Sequence, residues 1–68
     1  MSDKQAIVRV DATYDLTVKV GDRVRRAERL SSAPESDATS AAPVAGTIRS
    51  IQFHSERHEF VIVIAPAT

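Results

Sequence analysis

Cysteine and tryptophan are absent from this 68-residue chain, and glycine occurs only twice. Without cysteine there is no disulfide and no thiolate metal site. A chain near the lower size limit of a self-sufficient core must then draw its stability from aliphatic packing, from turn geometry or from association with another chain. Aromatic residues are limited to Tyr14, Phe53 and Phe60, too few for the stacking platform of a single-stranded nucleic-acid binder. Net charge is missing as well. Nine basic residues balance nine acidic ones, which removes the phosphate attraction on which most nucleic-acid binding depends. Nucleic acid is not an expected partner. The longest apolar run, Phe-Val-Ile-Val-Ile-Ala-Pro at residues 60–66, is far too short to cross a bilayer as a helix. The opening Met-Ser-Asp-Lys-Gln does not read as a charged-then-apolar signal segment. The expectation is a soluble, cytoplasmic protein without direct membrane insertion.

What is present is ordinary for a globular chain: 43% hydrophobic and 26% charged residues, enough for one domain over residues 1–68. Residues 6–10 (Ala-Ile-Val-Arg-Val) and 16–20 (Leu-Thr-Val-Lys-Val) read as strands with one buried face. Asp11 and Asp15 bracket a polar turn between them. Residues 47–53 alternate except that Ile48 and Ile51 fall out of strict period, a slip that predicts a bulge or strong twist. Residues 60–64 are continuously apolar and read as a strand covered on both faces or central in the sheet. Residues 54–59 are a polar loop between those two strands, and residues 31–42 hold no large apolar side chain, the composition of an exposed loop. Four strands joined by turns make the class all-β.

Residues 22–30 admit two readings. Val24, Ala27 and Leu30 recur every three positions, which suits a short amphipathic helix capped by Asp22. Nine residues without a continuing apolar stripe make a marginal helix, however. The alternative is a tight β corner in which Val24 and Leu30 fill the core while the arginines face water. Further on, Pro43 fixes one backbone angle, and Gly46 is expected to take positive φ to turn the chain into the next strand.

The pattern Val-Gly-Asp-x-Val followed by Leu, here residues 20–30, and then Ala-Pro-x-Ala-Gly-x-Ile, here residues 42–48, resembles the biotinyl/lipoyl-like barrel-sandwich-hybrid family. Gly21, Asp22, Val24, Leu30, Pro43 and Gly46 carry the resemblance, which favours the corner over the helix and implies a small flattened barrel of short strands. The segment Pro43-Val-Ala-Gly-Thr-Ile48 is also similar to a lysine-free barrel-sandwich segment near the N-terminus of a membrane-peripheral component of Rnf-type electron-transport complexes, and of its sodium-pumping quinone reductase equivalent. The flavin and iron–sulfur parts of those proteins are absent, so no redox role transfers. Carriers in the family hold biotin or lipoate on a lysine at the hairpin tip, yet residues 31–41 contain no lysine, which leaves only Lys4 in the N-terminal tail and Lys19 in a predicted strand. The family's glycine five residues after the aspartate is replaced by Ala27, and the second half of the chain shows no repeat of the Gly-Asp-x-Val motif. The expectation is a carrier scaffold without cofactor.

Other candidates are few. His54 and His58, four residues apart near Glu56 and Glu59, have metal-ligand spacing only on a helix, and a solvated loop is the plainer reading. Arg23, Arg25, Arg26 and Arg29 form the densest basic cluster. Their guanidinium forks suit carboxylates or phosphates, while the plainer reading is a solvated face that protects a β edge. Glu35 and Asp37 offer complementary charge for docking between copies. No nucleophile motif or phosphate loop is present, so the expected role is non-catalytic, with a protein partner or a second copy. An atypical acyl or biotin carrier modified on Lys19 and a metal-binding module using His54 and His58 are the alternatives.

Overall fold

A computed structural model describes residues 5–34 and 40–67 of the chain. Four strands, β1 (Ala6–Asp11), β2 (Arg23–Val24), β3 (Gly46–His54) and β4 (Glu59–Pro66), form one antiparallel sheet in the order β1-β4-β3-β2. The sheet curls into a half-barrel, and the fold is all-β with no α-helix among the described residues. The molecule measures 35 × 24 × 17 Å.

β1 follows its alternation, with Val8 and Val10 turned inward and Ile7, Arg9 and Asp11 outward. β4 pairs with β1 on one side and β3 on the other, the central place its apolar run requires. The slip in β3 is a real irregularity: the register with β4 shifts between Ile48 and Ser50. The β3–β4 turn closes at His58, whose N–H donates to the Ser55 carbonyl at 3.3 Å and whose φ is 51°. Histidine is among the few non-glycine residues that visit this region readily. His54 and Glu59 belong to the strands, so the turn is shorter than residues 54–59 suggested.

Val8, Val10, Val24, Leu30, Ala42, Ile48, Ile62 and Ile64 make the core, with Leu16, Val18, Val44, Ile51 and Phe60 packed at its margin. Burying each of the larger side chains stabilises the fold by about 1.5–3 kcal/mol. Three of them, Val24, Leu30 and Ala42, come from β2 and the irregular segments. Those segments close over the sheet through long-range backbone bonds: Thr17 N–H to Leu30 O (3.0 Å), Leu30 N–H to Ser40 O (2.8 Å), Ser32 N–H to Asp15 O (2.8 Å) and Ala42 N–H to Glu28 O (2.8 Å).

Three expectations are corrected. Residues 16–20 are not a strand: Leu16 makes one bridge, to Ser31, and the chain then turns at Lys19. Asp22 is the cause, because its carboxylate accepts the Lys19 N–H at 3.0 Å and its own N–H donates to the Lys19 carbonyl at 3.0 Å. The groups a ladder would need are consumed locally. Gly46 does not use positive φ; it lies inside β3, where a Cβ would collide with the Ala65 carbonyl oxygen and lie 2.8 Å from the carbonyl carbon. Glycine is there for close strand approach. Finally, the stretch 31–42 is not exposed throughout, since Ser31, Ala33, Ser40 and Ala42 are buried. Small side chains let this backbone lie close against its neighbours. Glu35 and Asp37 lie outside the described residues.

Candidate docking surface

The arginine cluster is built on two successive turns. In the first, Gly21 takes φ 95° and donates its N–H to the Ile48 carbonyl at 2.9 Å, while the Ile48 N–H returns to the Asp22 carbonyl at 2.8 Å. This fixes the chain against β3 as it enters β2. Val24 then points into the core and Arg23, opposite Thr47, points to solvent. In the second turn the Glu28 N–H donates to the Arg25 carbonyl at 3.0 Å and the Glu28 carboxylate accepts the Arg25 N–H at 2.9 Å. Ala27 sits at φ 70°, with its N–H on the Ala42 carbonyl at 2.7 Å. The turn that a glycine usually serves is thus kept by an alanine, at a conformational cost of about 1 kcal/mol. Residues 22–30 form a corner and not a helix.

None of the corner's arginines forms an ion pair with a carboxylate among the described residues. Asp22 and Glu28, the carboxylates nearest in sequence, spend an oxygen on a backbone N–H. The ion pair found among the described residues is Arg9 with Glu59, at 3.8 Å. Arg23, Arg25 and Arg26 are exposed. Arg29 is half-buried beside Ala41, and its Nη2 is buried without a hydrogen-bond partner among the described residues. A buried guanidinium nitrogen without a partner is costly, and its N–H can donate to an anion or carbonyl oxygen brought to it.

Beside this corner lie two adjoining open depressions of about 390 and 530 Å3, both lined by Ala45, Pro66 and Ala67. Arg23 borders the first and Arg26 the second, where Pro43 and Val44 extend the apolar floor. A floor of proline and small aliphatic side chains with a fork-shaped cation on each part of its rim suits a peptide that presents an apolar side chain near a carboxylate. Sequence reasoning found the arginines but not the floor. The signal was there in Pro-Val-Ala at 43–45 and Ala-Pro-Ala at 65–67, two proline-broken stretches that the β2–β3–β4 pairing brings together.

The other candidates are dispersed. Lys19 is exposed, on the turn rather than in a strand. His58 packs edge-on against Phe53, with ring centroids 5.9 Å apart at 86°, and His54 lies across the ladder from Glu59. No group of three or more His, Asp or Glu side chains placed to hold a metal ion is found among the described residues. Asp11, near His58, accepts the Thr13 N–H at 2.9 Å. That bond, with a further one from the Thr13 side chain and a smaller attraction from His58, holds its carboxyl below its ordinary value. Among the described residues no helix is long and apolar enough to cross a membrane. No protein-family model matches the chain, and no curated protein sequence matches it.

Proposed function

We propose that the chain is a non-catalytic, cytoplasmic interaction or accessory module, built on a biotinyl/lipoyl-like scaffold that lacks the attachment lysine, and that its arginine corner receives an acidic segment of a protein partner. The observation that carries this reading is Arg23 and Arg26 on the rims of two adjoining depressions, with the exposed Arg25 between them in sequence and none of the three in an ion pair with a described residue. The scaffold part of the proposal draws support from Gly21 and Ala27, both at positive φ, at the two turns where the family pattern asks for it. Tagged full-length chain is used to co-purify partners from its native cells, alongside an Arg25→Glu/Arg26→Glu variant. A partner held by the wild type and lost by the variant, with thermal unfolding unchanged, supports the reading. Equal recovery with both proteins assigns the contact elsewhere.

A second reading, an atypical acyl or biotin carrier, is favoured by one observation: Lys19 is exposed on a turn that Asp22 locks from both its carboxylate and its backbone. An amine presented this way is accessible to a modifying enzyme. The intact mass of protein purified from its native source decides the matter, since a carrier carries added mass on Lys19 and a docking module does not.

A further inference from the structure

β2 covers only the first part of β3. It pairs with Gly46 and Thr47, and Ile48 is held by Gly21 and Asp22. Beyond the register shift, β3 has β4 on one side and no backbone hydrogen bond to any other described segment on the other. The ladder shows which groups are left over. The Ala12 N–H donates to the His58 carbonyl at 3.0 Å, so the bonded pairs between β1 and β4 fall at Phe60, Ile62 and Ile64 of β4. Val61 and Val63 then bond β3 at Gln52 and Ser50, and the N–H and C=O groups of Ile51 and Phe53 point into the open edge. Their side chains lie on the core face, opposite Ile62 and Phe60. There Ile51 is only half-buried, and Phe53 is 52% exposed.

We propose that this edge pairs antiparallel with the same edge of a second copy, about a twofold axis at Gln52, forming a sheet that runs continuously through both molecules. The two copies suit each other in that register. Bonded positions meet bonded positions, and each Ile51 lies opposite the partner's Phe53, so both exposed side chains are covered twice over by one symmetric contact. Ser50 faces the partner's His54. Arg49 at either end comes opposite the partner's Ser55, so no like charges meet within the paired segment. The zero net charge leaves no long-range repulsion between copies. β1 offers less, because Val8 and Val10 are already buried and pairing there covers only Ile7. The contact is independent of the arginine corner, so it stands or falls apart from the function proposed above.

Sedimentation velocity of the full chain from about 1 μM to about 1 mM tests it. The expected result is a mass that rises with concentration from 7.4 kDa to a limit at twice that value. Gln52 is exposed and sits on the axis, so Gln52→Lys sets two like charges side by side and weakens association about fivefold at low salt, as does Gln52→Glu. An equimolar mixture of the two variants associates as tightly as the wild type or tighter. A chain that stays monomeric at the highest concentration overturns the proposal. So does a series that grows past the dimer, which would mean head-to-tail pairing. Gln52→Lys protein that associates as well as the wild type, or a mixture no tighter than its components, rules out this register and with it the proposal.

Discussion

The two ends of the β3–β4 pair share their strands and little else. At the corner end, Ile48, Ile62 and Ile64 lie under Val24, Leu30 and Ala42 and are fully enclosed. The covering segments are tied across the chain by bonds from Thr17, Leu30 and Ala42. At the hairpin end, Ile51, Phe53 and Phe60 belong to the same face of the same strands, yet Phe53 keeps about half its surface in water. What holds that end is the ladder and the ring contacts of Phe53 with Phe60 and His58, at 5.6 and 5.9 Å. Apolar strand residues therefore do not by themselves make a core. The irregular chain between Ala12 and Ala45 decides where they become one, and leaves the other end free to meet another molecule.

Substitutions divide along that line. Gly46→Val has the largest effect: its side chain must enter the space of the Ala65 backbone and the Ile64 methyl, and urea denaturation is expected to show a loss of about 3 kcal/mol or more, or no folded protein. Leu30→Ala at the corner costs about 3 kcal/mol by the same measurement. Phe53→Ala at the hairpin costs about 1 kcal/mol, measured at concentrations where the chain is monomeric. Near-equal losses at Leu30 and Phe53 would erase the contrast between the two ends. Ala27→Gly sharpens it in the opposite sense. It relieves the residue held at φ 70° and is expected to raise stability by about 1 kcal/mol, seen as a higher denaturant midpoint at constant slope.

The smallest expected effect is at the hairpin end, and it depends on pH. The Asp11 carboxyl is held below its ordinary value of 3.8 chiefly by the Thr13 N–H. A lowered folded-state value means that the contribution to stability is complete above the ordinary value and disappears as pH falls through the lowered one. Asp11→Asn removes that titration, so its unfolding midpoint falls less steeply than the wild type's on acidification below about pH 4.

The sequence made the strands readable wherever a residue faced one consistent environment. Alternation in β1, the continuous run in β4 and the slip that became the irregularity at Ile48–Ser50 all fall in this class. It failed at residues 16–20, whose alternation is as good as that of β1, because Asp22 captures the Lys19 backbone from three residues away. Periodicity does not register a competing side chain. At Gly46 the error was one of cause: a glycine before a strand suggested a turn, whereas the need for it comes from Ala65, nineteen positions later and brought alongside only by the β3–β4 pairing. The candidate site divides the same way. The arginines are a local run and were visible, while the groove beside them joins two proline-containing stretches that only the fold makes neighbours.

The pairing of β1 with β4 also governs when this chain acquires its shape. Of the four strands, the one made first waits for the one made last, since Ala6 is opposite Ile64 and Val8 opposite Ile62. No smaller part of the sheet encloses the core beforehand. Assembly of the sheet is consequently dominated by contacts distant along the chain, the kind that runs in milliseconds to seconds rather than microseconds. Of the four strands, the one carrying the apolar run at residues 60–64 is made last, so both of its neighbours already exist when it appears.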